Sequence, residues 1–214
     1  MIELPSKKQI ASVEIHTQNT FTPLCPNELP VPEGDKIVTA LNEQAKLTHY
    51  RIGSKEAHHP KAQWIARSPD EQLSPVEGEN VDVKWLPHSI VGTLGFELIQ
   101  GLPKITDYDY FVWEGIELDM HPYGICYHDL KETLSTGVIE FLKYHGVTTV
   151  IAGGLATDFC VKVSVLQLVN AGFKVIVNLA ACRGLAQDST KQAIDHMQAN
   201  GAQLIEDLEQ LKTH

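Results

Sequence analysis

Cys160 sits where a cysteine can act as a nucleophile. It follows the run Gly153-Gly154-Leu155-Ala156-Thr157-Asp158-Phe159, which reads as a strand end, a tight turn and the start of a helix. At a helix start the unpaired N–H groups and the dipole favour a thiolate, and the same N–H groups can stabilise an oxyanion. The competing reading is a small buried apolar cysteine, the common fate of a free thiol. Cys25, Cys126 and Cys182 have no comparable setting. His16 could take the proton of Cys160, and Glu114 could orient the imidazole, giving a Cys–His–carboxylate arrangement. Taken singly, His16 reads as a core histidine and Glu114 as a solvated loop acid. The arrangement requires a His16 nitrogen within about 5 Å of the Cys160 sulfur.

The elements that must position these residues alternate in type. Short β-rich runs lie at 10–15, 48–53, 108–112, 147–152, 174–179 and 203–205. Several are almost continuously apolar, as strands covered on both faces should be. Helical patterns run from Gly34 to Leu47, Leu130 to His145, Thr157 to Ala171, and from Ser189 to near Gly201, each closed by a polar residue or glycine. This is the pattern of an α/β fold: three layers, α/β/α, around a six-stranded, mainly parallel Rossmann-like sheet. Its ligands belong beyond the C-terminal strand ends, where His16, Glu56, His58, Glu114 and Cys160 all fall. The stretch 55–103 lacks clear periodicity and holds Pro60, Pro69, Pro75, Pro87 and Pro103; a loop this long is usually functional.

Composition narrows the function classes. The 214 residues carry 17 Lys and Arg against 27 Asp and Glu, a formal charge of −10. An acidic balance argues against a nucleic-acid binder and against a polybasic membrane contact. No segment approaches the roughly 20 apolar residues of a membrane helix, and MIELPSKKQI has no apolar signal stretch. Four scattered cysteines without a CxxC pair fit a reduced, cytoplasmic compartment. At this length one domain spanning 1–214 is expected. The partner expected is a small molecule, with a homo-oligomer left open.

The segment GLATDFCV, Gly154 to Val161, resembles the nucleophile motif of the nicotinamidase and isochorismatase-like cysteine hydrolases. The likeness continues through Asn170-Ala171-Gly172-Phe173, Ala181-Cys182-Arg183-Gly184, Gln18-Asn19-Thr20-Phe21 and the segment from Trp85 to Gly95. The blocks keep the family's order and span most of the chain. The resemblance implies hydrolysis of small amides, with Cys160 as nucleophile and the backbone N–H groups of Ala156 and Cys160 as oxyanion donors. It also implies a cis peptide at Leu155–Ala156 and a role in NAD salvage. Phe21 and Trp85 match the aromatic residues that sandwich a pyridine ring. The family's general-base Asp falls at His16 and its Lys at Glu114, so an Asp–Lys pair has become a His–Glu pair.

The family's nicotinamidase branch also implies a metal held by an acid and several histidines. Here Glu56 and His58 match the acid and first His, His88 is intact, and Gln63 sits near the place of a missing His. Glu56, His58 and His88 could bind Zn²⁺ or Fe²⁺. Aligning on His59 instead would place Ala57 at the acid. No nucleotide cofactor is expected. The leading expectation is nicotinamide hydrolysis to nicotinate and ammonia. The alternatives are hydrolysis of another small amide or carbamoyl compound, with specificity set by the segment 114–127, and a catalytically retired metabolite-binding homologue. Isochorismate hydrolysis is disfavoured because those relatives typically lack the cysteine.

Overall fold

The structure, a computed structural model, describes residues 1–212. Strands β1 (Ile2–Glu3), β2 (Ile10–Ile15), β3 (Tyr50–Glu56), β4 (Tyr110–Glu114), β5 (Thr149–Leu155), β6 (Lys174–Arg183), β7 (Gln203–Ile205) and β8 (Leu211–Lys212) form two sheets. β1 and β8 make a small parallel pair. The other six form one sheet in the order β4-β3-β2-β5-β6-β7, every pair parallel. Helices α1 (Val38–Lys46), α2 (Val138–Tyr144), α3 (Lys162–Asn170) and α4 (Gln187–Ala199) cross between strands. None of the described helices is long and apolar enough to cross a membrane.

The central strands are buried along their whole length: every residue of β2 and of β5 is shielded. That explains their near-continuous apolar sequence, because helices cover both faces of a parallel sheet. One core cluster gathers Val13, Ile52, Val150, Val165, Leu168 and Val175. A second packs Ile37, Leu41, Trp64, Trp85, Leu155 and Ala181. The second lies beside the site.

Three helices differ from expectation, the first because it opens as a 3-10 turn, Gly34–Ile37, before α1. The pattern over 130–145 is helical only from Val138. The Asp129 carboxylate instead collects the N–H groups of Thr133 and Leu134, at 2.9 and 2.8 Å, and the Thr133 hydroxyl at 2.6 Å. Tyr127 then pairs antiparallel with Ser135. Short polar side chains compete with the helix ladder in this way. The helix after β5 opens as a π turn, Thr157–Val161, before α3 begins. Such single-turn π segments often mark functional positions.

The strand order reverses between β2 and β5, which is where an open parallel sheet forms a crevice at its C-terminal edge. β5 and β6 shift register between Ala152 and Gly154. Gly154 has a φ of +139°, and a Cβ there would lie 2.1 Å from the Ile15 carbonyl oxygen. Only glycine lets the strand end approach its neighbour so closely.

Candidate active site

Adjacent strand ends deliver the polar centre. His16 directly follows β2 with a φ of 46°, a left-handed conformation uncommon outside glycine. Its N–H donates to Ser54 Oγ at 3.1 Å. Glu56 closes β3, and Gln18 clamps its main chain: Gln18 Nε2 donates to the Glu56 carbonyl at 2.9 Å and Oε1 accepts from the Glu56 N–H at 2.8 Å. Glu114 closes β4, and Cys160 lies in the π turn after β5. All four side chains are buried. The Leu155–Ala156 peptide is cis.

Glu56 stands at the middle of the cluster. Its Oε1 accepts from the Cys160 thiol at 3.4 Å and lies 3.5 Å from His16 Nδ1. Polar atoms of His16, Glu56 and Cys160 all fall within 4.8 Å of one another. His16 Nε2 is in hydrogen-bond contact with Glu114 Oε1. The structure thus brings Cys160, His16 and Glu114 together, but it differs from the expected triad at one link. The thiol meets Glu56 rather than His16, because the Glu56 side chain reaches between them.

Charges in this water-poor cluster are strongly coupled. Burial pulls the His16 imidazole down, but Glu114 and Glu56 outweigh it, so His16 ends above its ordinary pKa. Burial pushes the Glu114 carboxyl up to about 7 against the opposing pull of His16. Burial also acts to raise Glu56, yet His58, His88 and His16 hold it well below the carboxylate range. Burial, then Glu56 and Glu114, push the Cys160 thiol well above its ordinary value. Cys160 therefore rests as a thiol. The thiolate expected at a helix start is not favoured here, since two carboxylates outweigh the backbone N–H of Ala156 directed at the sulfur.

A second cluster adjoins the first. His58 Nδ1 faces the His88 carbonyl at 3.1 Å, and His88 Nδ1 faces the Leu86 carbonyl at 2.7 Å. A carbonyl only accepts, so each ring keeps a proton on Nδ1; protonated at Nε2 it donates toward Glu56, and once that proton is displaced it presents a lone pair there. Those Nε2 atoms lie 3.2 Å (His88) and 3.9 Å (His58) from Glu56 Oε2. His58 Nε2 is buried with no hydrogen-bond partner among the described residues. Acceptor atoms converging on one point, with carbonyls fixing the rings behind them, suit a divalent cation.

His121 also enters this cluster; no spacing in the sequence pointed to it. Its ring nitrogens are buried without partners among the described residues, and burial lowers its pKa to about 3. Burial likewise keeps His58 well below its ordinary value. Gln63, near the place of the missing histidine, is exposed and lies outside the cluster. His59 is only half-buried, and its Nδ1 accepts from the Lys61 N–H at 3.0 Å, so the chain presents His58 and not His59.

Above Cys160 runs a narrow pocket walled by Phe21, Trp85, Tyr123 and Phe159. The space within it, about 10 Å³, is that of one water molecule. A flat ring enters only as these side chains part. Trp85 Nε1 donates to the Tyr123 hydroxyl at 3.1 Å, which donates to Asp82 at 2.8 Å. Tyr123 and Phe159 line the slot along with the expected Phe21 and Trp85.

The site is thus that of a parallel-sheet α/β domain with a buried cysteine in the turn after its central strand. Residues 126–207 match the family model described as the Isochorismatase domain. The nicotinamidase of Acinetobacter baylyi is 26% identical over 213 residues, covering 96% of this chain and 97% of that protein. The nicotinamidase of Escherichia coli is 28% identical over 186 residues, covering 82% and 85%. The solved nicotinamidase/pyrazinamidase of Acinetobacter baumanii superposes with a TM-score of 0.86 at 28% identity, covering 96% of this chain and 99% of that one. In sequence and in fold the chain is thus similar to nicotinamidases over nearly its whole length, and part of it matches the Isochorismatase domain.

Proposed function

We propose that the protein hydrolyses nicotinamide to nicotinate and ammonia through Cys160. The observation that carries this reading is a buried thiol hydrogen-bonded to a carboxylate at the floor of a slot lined by Phe21 and Trp85. The nicotinamidases of similar sequence and fold support the same substrate. Two aromatic walls suit a flat heteroaromatic ring.

In the first half-reaction the Cys160 proton passes to Glu56 Oε1, with His16 Nδ1 beside it and Glu114 holding the far side of the imidazole. The sulfur attacks the carboxamide carbon. The oxyanion rests on the N–H groups of Ala156 and Cys160. The proton returns to the amide nitrogen, the C–N bond breaks and ammonia leaves. Water then attacks the thioester, losing a proton to the same acid–base pair, and nicotinate departs as the thiol reforms. A resting thiol is compatible with this scheme because the proton moves as the carbon is attacked.

His58 and His88 through Nε2, with Glu56 Oε2, would hold a divalent cation, Zn²⁺ or Fe²⁺. When bound, it supplies a Lewis-acid anchor for a lone pair of the substrate. His88 and Glu56 also line the pocket beside Phe21, whose ring lies 5.9 Å from that of His88.

Cys160→Ala should abolish ammonia release from nicotinamide while leaving the fold intact by circular dichroism. Unchanged release in that variant sinks this reading.

A further inference from the structure

His121 comes from a loop that the expected ligand set does not include, yet it faces the same point as His58 and His88. One nitrogen from each of the three lies within 4.8 Å of the others. The ring is held in a cage. Its main-chain N–H donates to the Asn80 carbonyl at 2.8 Å. Trp64 packs at 4.3 Å between ring centroids and also anchors the preceding residue, donating from Nε1 to the Met120 carbonyl at 3.1 Å. Tyr123 packs edge-on at 4.9 Å. A polar ring this well enclosed normally finds partners for its nitrogens, and His121 has none among the described residues.

The geometry points to a site of three imidazoles, His58, His88 and His121, for a late first-row divalent cation, with His121 supplying the ligand that Gln63 does not. The site extends the metal part of the function proposed above and rests on it. Three nitrogen donors select Zn²⁺ and its neighbours over Mg²⁺ or Ca²⁺, which take oxygen ligands. At a tetrahedral ion with Zn–N of about 2.0–2.1 Å the ligand atoms stand about 3.3 Å apart. The three nitrogens lie within 4.8 Å of one another, so at most a small closure of the rings reaches that spacing. The loop that carries it also carries Tyr123, one wall of the slot. Cation binding and the shape of the substrate pocket are therefore coupled through residues 121–123.

The test uses the full chain, stripped with a chelator and titrated with Zn²⁺ against a chromophoric competitor. The wild type should take up one Zn²⁺. His121→Ala and His121→Gln should each weaken binding at least about tenfold, with near-ultraviolet circular dichroism reporting that they fold. His59→Ala should bind as the wild type does. With Co²⁺ in place of Zn²⁺, the visible absorption of the wild type should change in His121→Gln, because a nitrogen ligand is lost. Wild-type affinity in either folded His121 variant overturns the inference, as does a wild type that takes up no Zn²⁺. Neither result touches the amidase reading, which stands on ammonia release lost in Cys160→Ala. That variant should keep its Zn²⁺ affinity.

Discussion

At the scale of single residues, the site works by opposing burial against charge. Glu114 is fully enclosed and takes up a proton near pH 7, whereas Glu56, ringed by imidazoles, stays ionised far below that. The two carboxylates that flank the His16 imidazole thus differ in charge. Glu114 can orient His16 only while it is charged. As pH falls through about 7 it gains a proton and that hold weakens. In a pH–rate profile, kcat/KM should fall on the acid side with a limb near this value. Glu114→Gln should flatten the limb and lower the plateau by about 100-fold, within the range of general acid–base contributions. A variant with the wild-type profile would remove Glu114 from the reaction. Much of this chemistry is legible in the sequence. Cys160 stands out by its place at a turn into a helix, and His16 and Glu114 by following apolar runs. Glu56 and His58 are legible by the same placement at a strand end, whereas Phe21, Trp85 and His88 are legible only through the family resemblance. His121 and the reach of Glu56 to the thiol are not legible. His121 lies in the segment 114–127, where the sequence departs from the family's pattern, and a side chain's reach depends on strand register, here Glu56 opposite Glu114.

At the scale of elements, the sequence speaks clearly where burial enforces a pattern. β2 and β7 match their apolar runs residue for residue. β5 and β6 run past theirs, because Gly153 and Gly154 extend one and Ala180 to Arg183 the other, residues with little strand preference that pairing recruits. The failed half of the second helix has a local cause in Asp129, which no helical period reveals. The turn carrying Cys160 is tied to the next crossover by a single carboxylate. Asp158 accepts from the N–H groups of Leu185 and Ala186, at 3.0 and 3.3 Å, and from the Ser189 hydroxyl at 2.6 Å. It holds the chain entering α4. Asp158→Ala should cost about 1–2 kcal/mol, the loss typical of donors left without their acceptor. For a chain of this size that is roughly 2–8 °C in melting temperature. Calorimetry that finds no loss would show that water replaces the carboxylate at no cost.

At the scale of the whole molecule, reactivity and rigidity occupy different levels of one sheet. The C-terminal strand ends hold the coupled charges, with two backbones in left-handed conformations at His16 and Ser89, a kind of strain that persists only in well-fixed surroundings. The fixing lies lower, at mid-strand. Gln44 of α1 donates to Ser12 Oγ of β2 at 3.0 Å and to the Ile151 carbonyl of β5 at 3.2 Å. Its oxygen accepts from Asn178 of β6 at 3.1 Å. One buried amide thus joins a helix to the three central strands, across the reversal point where the active-site crevice opens. Gln44→Leu keeps the volume and strands three polar partners, a loss of about 2 kcal/mol or more, or upwards of roughly 4–8 °C for a chain of this size. Because none of these atoms touches Cys160, His16 or the slot, kcat/KM for nicotinamide at 25 °C should stay at the wild-type value while the melting temperature falls. The reverse outcome, a kept melting temperature with lost activity, would mean that the mid-sheet network positions the catalytic turn instead of supporting the sheet beneath it.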